Sequence, residues 1–269
     1  IDAFVRSASD TEIVAVTFAL PDDTPSVISD VIVTSDTGVR VRGVNTWTYS
    51  QITNVSPSVG QRNTIVTISG IALLADGSAV DVVRLAGVQV VRVLSQNATT
   101  IEVVARDLAV AAPTVGDVEI VSDSAQTVSK GDGFTYNIAG SIDVVTPSSG
   151  QYGTRVSISG VDLFGHGNEI VRAEIAGVEV AEIIQSNRSY VELVAAPRSA
   201  GEGDIVLTAD TGATVVLADG VARSQLLNGL WQYVPVPEID SVSPRMGQLN
   251  TRVTISGTGL FGGGGTITE

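Results

Sequence analysis

The stretch "ITNVSPSVGQRNTIVTISG", Ile52 to Gly70, occurs three times in this chain with one skeleton. The second copy is "IDVVTPSSGQYGTRVSISG" from Ile142, and the third is "IDSVSPRMGQLNTRVTISG" from Ile239. Each copy reads Ile-x-x-Val-x-Pro-x-x-Gly, then three residues, then Thr-x-Val-x-Ile-x-Gly. A phrase that a chain repeats with its apolar positions, its Pro and its Gly unchanged indicates a structural unit.

In the second half of the phrase, apolar residues alternate with positions that accept polar side chains. A period of two is typical of a strand with one face on a core. Pro and Gly precede this strand and suit a chain reversal, because Pro fixes φ and Gly permits positive φ. The phrase therefore predicts an edge strand, a turn and a core strand, with Arg155 exposed. The positions assigned to the core face are Val66, Ile68, Val156 and Ile158, with Val253 and Ile255 in the third copy.

Composition limits the partners that the chain can have. Fifteen Lys and Arg stand against 29 Asp and Glu, which gives a net charge of −14. Such a surface repels phosphates, and the arginines are scattered singly, so we expect neither nucleic acid nor an anionic membrane as a partner. The chain contains no Cys, which excludes disulfides and thiolate metal sites within it.

The sequence also bears on membranes and on completeness. No apolar run approaches the roughly 18 residues that argue for a membrane span. The chain opens on Ile1 without an initiator Met or a signal-like segment. We therefore expect it to be a piece of a longer protein.

Other phrases recur in a fixed order between the copies. They are a glycine hairpin, a turn followed by a strand, a strand before a second hairpin turn, and a closing aromatic strand: "VVRLAGVQVVRVL" from Val82, "SQNATTIEVVA" from Ser95, "DVEIVSDSA" from Asp117 and "FTYN" from Phe134. Each period of 90 or 97 residues then contains about seven short strands, without helical periodicity. That spacing predicts one β-sandwich domain per period.

This ordered set of phrases resembles the IPT/TIG family of immunoglobulin-like domains. The resemblance implies an all-β fold of tandem immunoglobulin-like β-sandwiches (IPT/TIG type). It also implies the settings of the family: receptor ectodomains such as plexins, bacterial and protist surface proteins, Rel-type transcription factors and accessory domains of starch-degrading enzymes. The acidic charge departs from the DNA-binding branch, and the absence of Cys departs from the disulfide-bearing receptors.

The phase of the repeats predicts four parts. Residues 51–140 and 141–238 are expected to be complete IPT/TIG-like domains, 1–50 the C-terminal part of one and 239–269 the N-terminal part of another. Links of two to five residues should hold neighbours at a restricted angle, as in a semi-rigid rod. We expect the partial domains to be completed either by the parent chain or, head to tail, by another copy.

No constellation of residues predicts catalysis, a cofactor or a metal. His166 is the one histidine, and its Gly-rich setting favours an exposed loop residue over a general base or metal ligand. The run Gly262–Gly265 resembles a phosphate-binding loop only superficially, because no Lys-Ser/Thr and no helix follow it. We expect the chain to have no enzymatic activity.

Two further acidic patterns are better explained by structure. Glu102 and Glu192 alternate with apolar residues and are expected to face solvent. "SDTG" at Ser35 and "ADTG" at Ala209 are similar to an aspartic-protease signature, but a two-residue hairpin turn accounts for them.

One modification signal recurs. Asn97 in Asn-Ala-Thr and Asn187 in Asn-Arg-Ser occupy the same turn of successive repeats, where each could carry an N-linked glycan. The alternative is that Asn simply suits the turn. Asn54 also fits the sequon, but Pro57 follows its Ser and the start of a strand would crowd a sugar.

The sequence predicts a structural segment of a large extracellular or cell-surface repeat protein: a filament, appendage or adhesive stalk. Its expected partners are other copies of itself or other surface proteins, with glycans as further candidates. The alternative is a ligand- or carbohydrate-binding module of a receptor or surface adhesin. Aromatic residues make up only 4% of the chain, and several belong to the closing strands, which favours the structural hypothesis.

Overall fold

The computed structural model describes residues 3–18, 28–217 and 230–267. Within these ranges the chain consists of β-strands joined by turns and forms no helix. The predicted all-β class is therefore confirmed. The strands fall into four consecutive stretches, which we call the head segment (3–48), the first repeat (51–136), the second repeat (141–233) and the tail segment (238–267).

The first repeat contains two sheets. One has the order β10-β11-β7-β5 and the other β6-β13-β12-β8-β9. The strands are β5 (Gln51–Ser56), β6 (Val59–Gly60), β7 (Ile65–Ile71), β8 (Val80–Leu85), β9 (Val88–Gln89), β10 (Arg92–Gln96), β11 (Thr100–Val104), β12 (Thr114–Ser122) and β13 (Thr127–Tyr136).

The second repeat follows the same plan. Its sheets have the orders β14-β16-β20-β19, β15-β24-β21 and β18-β17-β22-β23. The strands are β14 (Ser141–Thr146), β15 (Ser149–Gly150), β16 (Arg155–Val161), β17 (Ile170–Ile175), β18 (Val178–Glu179), β19 (Glu182–Asn187), β20 (Tyr190–Val194), β21 (Gly201–Gly203), β22 (Ile205–Ala209), β23 (Thr214–Leu217) and β24 (Trp231–Tyr233).

The head and tail segments form separate two-stranded ladders. In the head segment β1 (Ala3–Ala8) pairs with β2 (Ile13–Thr17), and β3 (Ile28–Thr34) pairs with β4 (Arg40–Thr48). In the tail segment β25 (Glu238–Ser243) pairs with β26 (Thr254–Thr258).

Strand pairing explains the repeated phrase. Its first and last strands are antiparallel neighbours at a sheet edge, so that Ile142 lies opposite Gly160 and Val145 opposite Ile158. The short strand between them, β15, leaves this sheet and pairs in parallel with the closing strand β24. The predicted order of edge strand, turn and core strand is confirmed, with a sheet switch inside the turn.

The last glycine of the phrase is required by a close backbone approach. A Cβ on Gly160 would lie 2.0 Å from the carbonyl oxygen of Ser141 and 2.8 Å from Cδ2 of Leu163. The corresponding glycines Gly70 and Gly257 meet a backbone oxygen at 2.1 and 2.0 Å. A side chain at this position would therefore force the paired strands apart.

The residue before the phrase's Thr has a left-handed backbone in every copy. The φ angles are +65° at Asn63, +84° at Gly153 and +65° at Asn250. Asn and Gly are the residue types that adopt this region at least cost, which explains why only these two alternate there.

The predicted cores form in both repeats. Val66, Ile68, Val156 and Ile158 are fully buried, as the alternation predicted. The side chain of Arg155 is 70% exposed on the opposite face, which is also as predicted. In the second repeat the core reaches the closing strand, where Trp231 and Tyr233 are buried and meet edge to face with ring centroids 4.6 Å apart.

The glycine hairpins use two residues with positive φ, as a type I′ turn requires. In the second repeat these are Ala176 at +52° and Gly177 at +76°. Ala176 also donates its amide to the carbonyl of Asp204, and a Cβ on Gly203 would lie 2.5 Å from its Cα. Because the turn packs closely against the neighbouring strand, only a small residue such as Ala fits at position 176, although its backbone has a positive φ.

The "ADTG" turn is larger than the sequence predicted. The amide of Ala209 donates to the carbonyl of Ala213, so three residues, Asp210 to Gly212, form the loop. Gly212 has a φ of +78°, which is typical of the third position of a three-residue hairpin loop. The "SDTG" turn has the same pattern, with Ser35 bonded to Val39 and Gly38 at +84°. The predicted two-residue turn is therefore wrong at both sites.

The third copy of the phrase differs from the first two. Val253 and Ile255 are each 53% exposed, although their counterparts are fully buried. The reason is that β26 pairs only with β25 among the described strands, and no second sheet covers its apolar face there. The local alternation alone therefore does not decide burial at these positions.

The chain divides into two compact units. One comprises Ile1–Ser56, Thr67–Val103 and Val115–Phe134, and the other comprises Pro57–Val66, Val104–Thr114 and Thr135–Glu269. The division passes through the first repeat, so the end of that repeat which carries Pro57–Val66 belongs to the same unit as the whole second repeat.

Candidate functional site

The first sequon lies at the hairpin turn between β10 and β11. Asn97 is exposed there, and its Oδ1 accepts hydrogen bonds from the amides of Thr99 and Thr100, both at 2.8 Å. The hydroxyl of Thr99 donates to the same oxygen at 2.9 Å. The Asn therefore shapes the turn through its oxygen, and within the described residues these bonds leave its amide nitrogen unused.

The second sequon repeats this geometry between β19 and β20. Oδ1 of Asn187 accepts from the amide of Ser189 at 2.9 Å and from its hydroxyl at 3.1 Å. Asn187 is also exposed, at the end of an edge strand. Asn54 is different, because it lies within β5 in a ladder position opposite Ser69. The two turn asparagines therefore share a setting that Asn54 lacks.

His166 lies in the loop after the core strand, as predicted, but it is not freely exposed. Its side chain is 25% exposed, and Nε2 lies 3.0 Å from the carbonyl oxygen of Ile138 and 3.0 Å from Oδ2 of Asp162. Arg188 pairs with the other oxygen of Asp162 at 2.9 Å and donates to the carbonyl of Gly167. These contacts hold the loop. The Asp162–Arg188 pair joins residues that no sequence pattern connects.

The loop of each repeat is closed by an aspartate from a hairpin turn. Asp210 accepts hydrogen bonds from the backbone N–H and from the side chain of Asn168. The bond from the backbone N–H is the main cause that lowers the pKa of Asp210. Asp123 accepts hydrogen bonds from the hydroxyl and the amide of Ser78. These bonds lower the pKa of Asp123, and the bond from the hydroxyl is the main cause. These carboxylates are therefore used in loop structure.

The remaining sequence candidates are placed in loops and on outer faces. Gly262 and Gly263 have positive φ in a turn of the tail segment, which agrees with a loop. Glu102 and Glu192 are half-buried and do not face solvent freely, contrary to the prediction. Glu192 lies beneath Arg155 and accepts from Gln185, so neighbours on the same sheet face cover it.

A groove of about 960 Å³ lies beside the closing strand of the head segment. Its aromatic wall includes Trp47 and Tyr49, whose rings meet edge to face with centroids 5.9 Å apart. Trp47 is 40% exposed, whereas Phe134 and Trp231 at the same place in the repeats are fully buried. The aromatic wall is thus the equivalent of core residues and does not form a dedicated platform for a ring-shaped ligand.

A second groove, of about 630 Å³, lies at one end of the second repeat. It is lined by Gln151, Tyr152, Pro197, Arg198, Val236, Pro237 and Gly262. The guanidinium of Arg198 lies 5.7 Å from the ring centre of Tyr233. Nη1 of Arg198 and the hydroxyl of Tyr233 are buried without a hydrogen-bond partner among the described residues. Arg198 has no counterpart in the first repeat, because the two repeats differ in length at this position. The repeated pattern therefore could not indicate it.

Burial raises the pKa of both closing-strand tyrosines. For Tyr136, desolvation is the main cause, opposed by a hydrogen bond from the backbone of Arg106. For Tyr233, desolvation is again the main cause, opposed by the charge of Arg198. The folded chain therefore holds these phenolic protons to higher pH than the unfolded chain does.

This difference predicts a loss of stability at alkaline pH. A group whose pKa is raised on folding contributes stability that is present below its unfolded pKa, about 10 for Tyr, and is lost as pH rises through the folded value. The free energy of unfolding, measured with urea, should fall as pH rises above about 10. Tyr233→Phe should reduce this slope, because it removes one of the two buried phenols. An equal slope in the wild type and in Tyr233→Phe would contradict the assignment.

Among the described residues, no three His, Cys, Asp or Glu side chains come together as metal ligands would. No helix that could span a bilayer occurs in ranges 3–18, 28–217 and 230–267.

Sequence comparison identifies the repeats. The family model described as "IPT/TIG domain" matches residues 50–136 and 141–220. These ranges cover more than half of the chain; the first matches the first repeat, and the second matches the second repeat up to residue 220, before its closing strand β24. No curated protein matches the sequence of the chain.

The solved structures that match the chain are remote in sequence. A plexin A4 extracellular region is 20% identical, with a TM-score of 0.43, and the match covers 73% of this chain and 16% of that one. SGBP-B of a Bacteroides ovatus mixed-linkage glucan utilization locus, in complex with a heptasaccharide, is 14% identical, with a TM-score of 0.27, over 69% and 48%. A gamma-CGTase of Bacillus clarkii is 15% identical, with a TM-score of 0.28, over 76% and 31%. The chain therefore spans less than half the length of each of these three proteins.

Proposed function

Because the chain belongs to the IPT/TIG family, we propose that it is a structural segment of a large extracellular or cell-surface repeat protein. The observation that carries this proposal is the direct succession of folded repeats. Residues 137–140 alone separate the two matched ranges, and a third copy of the phrase begins at Ile239. A chain that consists of consecutive β-sandwich domains is suited to spanning a distance and bearing load.

The proposal includes the limits of the parts. We take residues 51–140 and 141–238 as complete domains, 1–50 as the C-terminal part of a domain and 239–269 as the N-terminal part of another. The exposed apolar faces of the head and tail segments, for example at Val16 and Ile255, fit sandwiches whose remaining strands lie elsewhere. Surface proteins or further copies of the chain are the proposed partners.

The setting that we propose is a filament, an appendage or a stalk outside the cell. The net charge of −14 fits this setting, because a strongly acidic surface keeps a long repeat protein in solution. The proposed function requires no catalytic group, cofactor or metal.

Mechanical unfolding tests the proposal. The chain is pulled from its two ends in a single-molecule force experiment, and each complete repeat should resist and then open in one step. A step should release about 300 Å, since about 90 residues extend by about 3.4 Å each. Two such steps per molecule are the expected result. Gradual extension without steps would contradict a load-bearing role.

Glycosylation is a separate prediction. If the chain comes from a eukaryotic secreted protein, Asn97 and Asn187 should carry N-glycans and Asn54 should not, because only the first two lie at hairpin turns. Peptide mass spectrometry of native material, before and after enzymatic deglycosylation, measures the occupancy of each site. Unmodified Asn97 and Asn187 in such material would refute the prediction. Asn54 provides the internal control.

A binding module is the second candidate function, and the groove at Arg198 favours it. Arg198 lines this groove, and its buried Nη1 has no hydrogen-bond partner among the described residues, so a polar ligand that displaces the covering side chains would satisfy it. Titration of the chain with neutral oligosaccharides and with carboxylated sugars, followed by calorimetry, decides between the hypotheses. Binding that Arg198→Ala abolishes would support the module, and absence of heat at millimolar ligand would leave the structural proposal standing.

A further inference from the structure

The loop between β6 and β7 of the first repeat contacts a hairpin turn of the second repeat. We define the Gly-Gln loop as residues 60–65 and the acceptor turn as residues 209–214. Both belong to the same compact unit. The amide of Ile65 donates to the carbonyl of Thr211 at 2.8 Å, and the amide of Thr214 donates to the carbonyl of Arg62 at 3.3 Å. The two segments therefore pair through their backbones.

Gln61 reinforces this pairing from a buried position. Only 2% of its surface is exposed. Its Nε2 donates to the carbonyl of Thr214 at 2.9 Å, and its Oε1 accepts from the amide of Gly140 at 2.7 Å. Both ends of the side-chain amide are thus used, one on the acceptor turn and the other on the link between the repeats. A buried amide with both ends satisfied favours one arrangement of its partners, because leaving either end unpaired is costly.

The Gly-Gln loop is held in shape by its own repeat. The amide of Gln61 donates to Oγ1 of Thr64 at 3.0 Å, and the amide of Asn63 donates to the carbonyl of Ala105 at 3.0 Å. The corresponding loops of the second repeat and of the tail segment contain the same bond to a Thr hydroxyl, at Gln151 and at Gln248. These bonds do not involve the acceptor turn, so they restrain the loop independently of it, and such restraint reduces the entropy lost on contact.

The outward bonds distinguish the loop copies. Gln151 donates to the carbonyls of Arg198 and Val234, which belong to its own repeat and to the link that follows it. Gln61 instead reaches Thr214, 153 residues further along the chain. The same residue type in the same loop can thus serve within one repeat or between two repeats.

The fit between the segments depends on two glycines. A Cβ on Gly212 would lie 2.8 Å from Cγ1 of Ile65, and a Cβ on Gly165 would lie 2.9 Å from Nε2 of Gln61. Both glycines also have positive φ. The surface of the second repeat is therefore shaped to let the Gly-Gln loop approach its backbone.

We propose that the Gly-Gln loop and the acceptor turn form a latch between the two repeats. The latch is an interaction surface whose partner is the three-residue hairpin loop of the following IPT/TIG domain. It fixes the second repeat on the first and lets load or unfolding pass from one to the other. The latch concerns the joint alone and stands whether or not the chain serves as a surface spacer.

Hydrogen exchange of the full chain tests the latch with a matched pair of glycines. Gly212→Ala places a methyl group against Ile65, whereas Gly177→Ala adds the same methyl group to the same repeat at a φ of +76°, with nothing within 4 Å. Both variants impose similar backbone strain. Protection of the Ile65 amide should fall at least about tenfold in Gly212→Ala and less than about twofold in Gly177→Ala, because only the first separates that amide from its acceptor. The Ala105 amide, bonded to Thr64 within the first repeat, should change in neither variant.

A second pair covers the case in which Gly212→Ala does not fold. Thr214→Val removes the hydroxyl that accepts from Nδ2 of Asn63 at 3.0 Å. Thr208→Val makes the same change at the residue opposite Thr214 in the β22–β23 ladder. Only Thr214→Val should lower the protection of the Ile65 amide, by about threefold to tenfold.

Nuclear magnetic relaxation measures the rotational correlation time of each repeat, which a loss of stability alone would not change. The two repeats should tumble with one correlation time in the wild type and with two in the latch variants. Unchanged protection at Ile65 in folded Gly212→Ala and Thr214→Val, or separate tumbling in the wild type, would overturn the latch. Such a result would leave the force steps of the individual repeats unaffected, so the two proposals fail separately.

Discussion

Gly160→Ala should destabilise the second repeat by at least about 3 kcal/mol, a loss at the upper end of what a single added methyl group causes. The methyl group would lie 2.0 Å from the carbonyl oxygen of Ser141, and this oxygen belongs to the paired strand β14. A backbone atom cannot turn aside as a flexible side chain can. The strands must therefore separate or shift their register. The free energy of unfolding of this repeat, obtained from exchange of the β20 amides in urea, measures the loss.

Gly177→Ala is the control for this change. It adds one methyl group to the same repeat in open space, so its effect should be limited to the left-handed backbone, about 1 to 2 kcal/mol. Gly70→Ala offers a replicate in the first repeat, where the backbone oxygen of Gln51 lies at 2.1 Å. If Gly160→Ala and Gly177→Ala cost the same, the close approach would not be the reason for the conserved phrase ending.

Ile158→Ala should cost about 2 to 5 kcal/mol, because it removes a fully buried side chain and leaves a cavity. Ile158 lies opposite Val145 on one side and Val191 on the other, so the loss affects the centre of its sheet. Urea unfolding of the second repeat, followed through the same amides, measures it.

Arg155→Ala provides the contrast on the same strand. The side chain is 70% exposed and pairs with Glu192 at 3.4 Å, an arrangement that contributes little in water. The change should stay within about 0.5 kcal/mol. Comparable losses at Ile158 and Arg155 would mean that the assignment of core and solvent faces is wrong.

Much of the fold could be predicted because the chain repeats itself. Ile158 and Arg155 were assigned to opposite faces from alternation alone, and three copies separated the required positions from the variable ones. The glycine at the end of the phrase was visible as a fixed position. Its cause was not, since the oxygen that it must approach belongs to a strand about 20 residues earlier.

Other features lay beyond local pattern. The exposure of Val253 and Ile255 is not visible in the local alternation, although the phase of the repeats, which leaves residues 239–269 with only the first strands of a domain, predicts it. The side chain of Gln61 donates to the carbonyl of Thr214, 153 residues away. The sequence around either residue contains no pattern that predicts this contact. The size of the "ADTG" loop was misjudged, because a Gly after Asp-Thr suits both a two-residue turn and the third position of a longer loop. The turn asparagines were placed correctly in space, whereas their modification stays a prediction.

The two tryptophans of the chain lie in closing strands and differ in their exposure to solvent. They are Trp47, which is partly exposed, and Trp231, which is fully buried and donates its indole N–H to the carbonyl of Pro147 at 2.9 Å. The first repeat has Phe134 at the same position and contains no tryptophan. In a Trp47→Phe chain, tryptophan fluorescence, excited at a wavelength that tyrosine does not absorb, would therefore come from the second repeat alone. Its shift to longer wavelength would report the opening of that repeat without an attached dye.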